Sequence, residues 1–179
     1  MAVPDWRVSV LPFVVALPAW AGEESPLPEY QVKAMYLARI PAYVEWPSLP
    51  PGSAVPDGFH IGVLGRSPFG EDLARLMDVR TVRGVPIKVK QAWRVEELLH
   101  CQVIFICASK ADELEEILAR VRGLPILIVS DAPEGVFYGA MVTFSLDHKR
   151  VILEVNLSAA KASRLSFSSF LLKNAKVLK

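Results

Sequence analysis

Residues 101–129 read CQVIFICASKADELEEILARVRGLPILIV, and this stretch decides the fold. It opens on an apolar run, Val103–Cys107 (VIFIC), and closes on another, Leu124–Val129 (LPILIV). Between them Ala111–Val121 is amphipathic at helical spacing, and Ser109 or Asp112 stands where a cap would start that helix. Short continuous apolar runs alternating with helices predict parallel strands in a sheet covered on both faces.

The pattern extends in both directions. Upstream, Phe59–Leu64 (FHIGVL) reads as a buried strand, and Gly65-Arg66-Ser67-Pro68 turns into a helix over Phe69–Asp78. Val85–Val89 (VPIKV) is another strand, followed by a short helix at Val95–Leu99. Downstream, Ala140–Phe144 and Val151–Val155 are apolar runs joined by Ser145–Arg150 (SLDHKR), which predicts an antiparallel hairpin. Ala159–Ser163 reads as a short helix, and Ser166–Lys179 as an amphipathic one with Phe167, Phe170, Leu171 and Val177 apolar. At the other end, Tyr30, Val32, Met35, Tyr36, Ile40, Tyr43 and Val44 recur at three- and four-residue steps, which marks a helix from Glu29 to Val44. Pro41 should kink its last turn, and Trp46-Pro47 should end it. Pro47, Pro50, Pro51, Gly52, Pro56 and Gly58 then make a loop. The expected architecture is a single α/β domain over residues 28–179. Its central, mostly parallel sheet is flanked by helices, with a C-terminal antiparallel hairpin and terminal helices.

The first 21 residues read as an export signal. Arg7 precedes an apolar run of Val8, Val10, Leu11, Phe13, Val14, Val15, Ala16 and Leu17, and Ala19-Trp20-Ala21 supplies the small–any–small cleavage pattern. The run is shorter than the ~20 apolar residues that span a bilayer. Cleavage after Ala21 leaves residues 22–27 as a polar leader and an exported, periplasmic domain; retention as an uncleaved amphipathic anchor is the alternative. The signal carries Arg7 and Asp5, so its removal leaves the net charge of +1 unchanged. That balance offers no clustered basic face for nucleic acid.

Cys101 and Cys107 bracket one strand, so their Cα atoms should lie about 20 Å apart at ~3.3 Å per residue. A disulfide needs less than about 7 Å, so both are expected as buried small residues. His60, His100 and His148 share no metal-ligand spacing, and no CxxC is present. His60 is expected to pack on its strand, and His148 to be solvated in the hairpin turn. The Gly65–Gly70 turn imitates a phosphate loop, yet Glu71-Asp72 stands where the loop needs Lys-Ser/Thr. No serine lies in a GxSxG elbow. The residues therefore suggest no catalytic site, no metal and no cofactor, and an enzyme would need groups that converge only in the fold. Tyr36, Tyr43, Glu45 and Trp46 interleave aromatics with charge, a composition suited to an interface as well as to core packing.

Tyr30-Gln-Val-Lys-Ala-Met-Tyr-Leu, running on to Tyr43-Val-Glu-Trp-Pro47, resembles the opening helix of the YfiR-like family of exported proteins. Ile61-Gly-Val-Leu-Gly65 with Pro68-Phe-Gly70 is similar to that family's first strand and turn, and Arg83-Gly84 before Val85-Pro-Ile-Lys-Val to its second strand. Cys101-Gln-Val-Ile-Phe-Ile resembles a further strand. Val151-Ile-Leu-Glu-Val-Asn156 with Ala159-Ala160 and Phe170-Leu-Leu172 resembles the closing elements. Arg39-Ile40-Pro41 departs from the family's usual Asn-Phe-x-Lys turn, and the late hairpin has no cysteines. The resemblance implies a non-enzymatic periplasmic regulator that binds the sensing domain of an inner-membrane diguanylate cyclase and represses it, lowering cyclic di-GMP and biofilm formation. An outer-membrane lipoprotein that sequesters the regulator, and a homodimer, are further partners it implies. Tyr36, Arg39, Tyr43, Glu45 and Trp46, with Phe69 near the Gly-rich turn, are the expected partner contacts. A periplasmic small-ligand-binding module using the Gly65–Gly70 crevice is the alternative.

Overall fold

The computed structural model describes residues 28–47 and 58–178. The signal, the polar leader and most of the proline-rich loop lie outside them. In chain order the elements are α1 (Glu29–Arg39), β1 (Val44–Glu45), β2 (Phe59–Leu64), α2 (Asp72–Asp78), β3 (Thr81–Val82) and β4 (Val85–Ala92). There follow β5 (Val103–Ile106), α3 (Leu114–Val121), β6 (Leu127–Ser130), α4 (Gly135–Tyr138), β7 (Val142–Asp147) and β8 (Arg150–Asn156). The chain closes with α5 (Leu157–Ala162), β9 (Ser166–Phe167), α6 (Ser169–Lys173) and β10 (Lys176–Leu178).

An eight-stranded sheet runs in the order β10-β8-β7-β6-β5-β2-β4-β3. The pairs β2/β4, β2/β5, β5/β6, β6/β7 and β10/β8 are parallel; β7/β8 and β3/β4 are antiparallel. Every residue of β5 and β6 is buried, which is why their sequences are continuous apolar runs rather than alternating ones. The expected hairpin forms with Asp147 opposite Arg150, and its two turn residues, His148 (φ 44°) and Lys149 (φ 66°), take the left-handed backbone of a tight primed turn. His148 is exposed there, 3.7 Å from Asp147.

A line of rings fixes α1 to the sheet. Tyr30 meets Phe69 at 6.0 Å, Phe69 meets Phe105 at 4.9 Å, Phe105 meets Phe144 at 6.0 Å, and Phe144 meets Tyr36 at 6.3 Å. Edge and tilted pairings of this kind add to the area they bury. Pro41 acts as expected: α1 gives way to a 3-10 turn over Ile40–Tyr43, and Val44–Glu45 leaves the helix to pair with β9.

Three expectations are corrected. The helix after the Gly65 turn starts at Asp72, not Phe69, because Phe69 is drawn into the ring line. Neither Ser109 nor Asp112 caps α3, which begins at Leu114 after a kinked 3-10 segment over Ala108–Glu113. The Ser109 hydroxyl instead accepts the Arg66 backbone N–H at 2.9 Å. The amphipathic helix over Ser166–Lys179 is replaced by β9, the five-residue α6 and β10. Ser168 caps α6 by accepting from the Leu171 N–H, and Lys176–Leu178 pair in register with Glu154–Asn156. Ladder bonds to an otherwise open edge strand are worth more there than one further helical turn.

Candidate functional site

Two places concentrate polar chemistry, and they lie at opposite ends of α1. The first is the surface where the 3-10 turn meets β1 and the C-terminal segment. Tyr43 is half-buried and stacks on Phe170 with ring centroids 5.1 Å apart, and Phe170 is 60% exposed. The Tyr43 carbonyl accepts the Ser168 N–H at 2.9 Å. Glu45 is exposed and accepts the Ser166 hydroxyl at 3.0 Å, through the short β1/β9 ladder. Arg83 buttresses this ladder from behind, donating to the Val44 carbonyl at 3.2 Å. Arg39 is exposed at the end of α1.

Of the six residues expected at a partner interface, Arg39, Tyr43 and Glu45 fall on or beside this surface. Trp46 lies beneath it, buried and edge-on to Phe59 at 5.6 Å. Its indole N–H has no acceptor among the described residues. Tyr36 is half-buried against Phe144, and Phe69 is buried in the ring line. Phe170 and Ser166, the neighbours of Tyr43 and Glu45, fall in the stretch whose periodicity predicts one long amphipathic helix, and that periodicity hides the return of the chain to β1.

The second place is the N-terminal end of α1. Lys33 is buried on the face of α1 that also carries Tyr30, Ala34 and Leu37. Its ammonium bonds the carboxylates of Asp131 and Glu29, and sits 4.6 Å from the centroid of the Tyr30 ring. The Tyr30 hydroxyl donates to the other Asp131 oxygen at 3.1 Å. Burial alone would lower the Lys33 pKa, but its hydrogen bonds to Asp131 and Glu29 reverse this and hold it above the ordinary value. Burial raises the Tyr30 phenol, and the charge and hydrogen bond of Asp131 add to that. A cavity of about 490 Å³ opens beside the cluster. Asp131 directly follows β6, at the carboxyl end of a parallel strand, where open α/β sheets hold their ligands. A lysine on an apolar helix face and an aspartate closing a buried strand were the sequence signals for this cluster.

The Gly65–Gly70 turn is a closer fit than the expected crevice. Gly65 has φ +98°, and a Cβ there would meet Ser109 Oγ at 2.7 Å and Lys110 Cγ at 2.8 Å. These residues fill the space above the turn, and Gln91 donates to the Gly65 carbonyl at 3.1 Å. His60 packs edge-on to His100 at 5.6 Å. Cys101 and Cys107 are free and buried, with burial pushing their thiols up to about 11 and about 12. Glu113 pairs with Lys110, and Glu116 with Arg120. No group of three His, Cys, Asp or Glu side chains among the described residues is placed to hold a metal ion. No helix among them is long and apolar enough to cross a membrane.

An open, mostly parallel α/β sheet flanked by helices is the fold class, with a surface of stacked aromatics and charge at the end of α1. The chain belongs to the YfiR/HmsC-like family, whose model matches residues 30–176. Membership points to a regulator rather than a catalyst. No curated protein matches the chain. Among solved structures, it is similar to a conserved domain protein from Vibrio cholerae O1 biovar El Tor, with 14% identity and a TM-score of 0.50. It is also similar to the ABC domain, in complex with L-Trp, from Streptococcus pneumoniae, with 12% identity and a TM-score of 0.54. In each case 84% of this chain is matched, and it spans 60% of the other chain's length. At these identities the likeness is one of fold.

Proposed function

We propose that this protein is an exported, non-enzymatic regulator that binds the periplasmic sensing domain of an inner-membrane diguanylate cyclase and holds the cyclase inactive. Such a regulator works by binding the inactive conformation of its receptor more tightly than the active one, which shifts the receptor's equilibrium. Family membership over residues 30–176 carries this reading. The surface built by Arg39, Tyr43, Glu45 and Phe170 supports it, because the exposed Phe170 stacked on the half-buried Tyr43, beside opposite charges, is a composition suited to an interface. Trp46 is a positioning residue that holds β1 and Glu45 from below.

The test is intracellular cyclic di-GMP in the native host, compared among wild type, a deletion, and deletions complemented with the chain with and without residues 1–21. A rise on deletion, reversed only by the chain that carries residues 1–21, is expected. Complementation with Glu45→Lys or with Tyr43→Ala plus Phe170→Ala should leave cyclic di-GMP high while the protein accumulates at its normal level. An unchanged nucleotide level on deletion would overturn the cyclase as the target. Full complementation by both surface variants would remove this face from the interface.

A further inference from the structure

A cavity separate from the one beside α1 lies between α3, α4 and α5. Its volume of about 380 Å³ falls within the roughly 300–1,000 Å³ of small-molecule sites. The buried Leu118, Ile128 and Met141 make its apolar floor, and Phe137 and Tyr138 stand at its rim, 68% and 51% exposed. The space is open: a Cβ added at Gly123 or Gly139, both on the wall, would meet nothing within 4 Å. The Asn156 side chain holds that wall in shape. Its amide donates to the Val136 carbonyl at 2.9 Å and accepts the Ala159 N–H at 2.8 Å, which ties α4 to α5.

Two side chains say what such a cavity would hold. Arg122 is the one charged residue on its wall among the described residues, and it forms no ion pair or hydrogen bond with any of them. Arg120, two residues earlier, is by contrast clamped between Glu96 and Glu116. A free guanidinium at the mouth of an apolar hole makes the local field positive and leaves its fork of donors unused. Ser163 is independent of charge. The residue is 2% exposed and lines the same cavity, and its hydroxyl has no hydrogen-bond partner among the described residues. Its backbone N–H is spent on the Ala159 and Ala160 carbonyls, but a buried hydroxyl almost always has a partner of its own.

We propose that this cavity binds a small organic anion, a carboxylate carried on an aliphatic body. The Arg122 guanidinium meets the carboxylate with two parallel N–H bonds, and the Ser163 hydroxyl is a further donor to it. The body lies on Leu118, Ile128 and Met141 and covers Phe137, taking apolar surface out of water. An ammonium of the same length meets the Arg122 charge with no carboxylate on the wall to offset it, and a neutral alcohol forgoes the charge-assisted bonds. None of the lining residues belongs to the surface of Arg39, Tyr43, Glu45 and Phe170, so the site stands or falls apart from the proposed receptor.

Calorimetric titration of the purified protein at pH 7 tests this with octanoate, and with octylamine and octanol as cationic and neutral bodies of the same length. Saturable binding of octanoate is expected, with a thermal stabilisation that grows with its concentration. Octylamine should not bind, and octanol should bind about tenfold or more weakly. Arg122→Gln, at an exposed position, should weaken octanoate about tenfold or more. Ala162→Phe fills the cavity from an exposed position on its wall and should abolish octanoate binding. Both variants leave the core untouched, so each keeps the fold in which the affinity is read. Absence of octanoate binding would overturn the proposal. So would equal binding of the three bodies, which marks a merely apolar hole, or an octanoate affinity unchanged by Arg122→Gln or by Ala162→Phe.

Discussion

Trp46 separates a residue that shapes the surface from one that touches a partner, and the two roles predict different outcomes. The side chain is 5% exposed. A buried Trp removes about 150–250 Å² from water, which at about 25 cal/mol per Å² gives an upper bound of roughly 4–6 kcal/mol. Large-to-small series place Phe or Trp to Ala at about 3–5 kcal/mol, so Trp46→Ala should lose that amount in urea unfolding. For a chain of this size each kcal/mol lowers Tm by roughly 2–4 °C, a fall of about 6–20 °C. Trp46→Phe keeps a ring against Phe59 and deletes the indole N–H that has no acceptor among the described residues. An orphaned buried donor costs about 1–3 kcal/mol, so its removal offsets much of the lost area, and the variant should stay within about 1.5 kcal/mol of wild type. It should also regulate normally. A Trp46→Ala protein within about 1 kcal/mol of wild type would refute the core placement, since even modest core truncations exceed that. A stable Trp46→Phe protein that no longer represses would refute the positioning role and make the indole a direct contact.

Lys33→Met leaves the buried Asp131 carboxylate without its cation and should cost about 3–5 kcal/mol in urea unfolding; adding Asp131→Asn should recover part of that loss, because no lone charge then stays buried. Cys101 and Cys107 should resist a thiol reagent at pH 8 in the native protein and react fully in urea. Their thiols are raised in the fold from 9.0 to about 11 and about 12. The stability they contribute is therefore complete below pH 9 and is lost as pH rises from 9 toward 12, an alkaline limb that Cys→Ala variants should flatten. Gly65→Ala combines a positive φ with contacts at 2.7 and 2.8 Å, whereas Gly70→Ala has the positive φ (+55°) and nothing within 4 Å. Thermal unfolding should show Gly70→Ala losing roughly 1–2 kcal/mol from the left-handed backbone and Gly65→Ala losing more.

The apolar runs were legible because parallel strands buried on both faces leave no polar position to blur the pattern. Phe59–Leu64 matches β2 at both ends, and the runs around Val103 and Leu127 locate β5 and β6. The hairpin was legible for the same reason, although its turn is the two residues His148-Lys149 rather than the whole polar run Ser145–Arg150. Tertiary pairing obscured the rest. Nothing local marks Lys176–Leu178 as the parallel neighbour of Glu154–Asn156, and two-residue strands such as β1 and β9 exist only because the fold brings them together. Ser109 looked like a helix cap because its type suits one, but the Arg66 N–H claimed its hydroxyl from 43 residues away.

The same limit governs the two candidate sites. Aromatic content named Tyr43, Trp46 and Phe69 alike, yet burial divides them: Tyr43 meets the exposed Phe170, while Trp46 and Phe69 are core. α1 carries both sites, with Glu29, Tyr30 and Lys33 at one end and Arg39 at the other, and the rings from Tyr30 through Phe105 to Tyr36 tie it to the sheet between them. An 11-residue helix spans about 16 Å at 1.5 Å per residue, so neither site touches the other directly. Any substitution in that ring line loosens the support of both and reports mainly on stability. Substitutions at exposed positions act locally, as at Glu45 and Phe170 on the partner surface. Loss of repression with unchanged stability is therefore readable only from such surface variants, and core variants that lose both assign no contact.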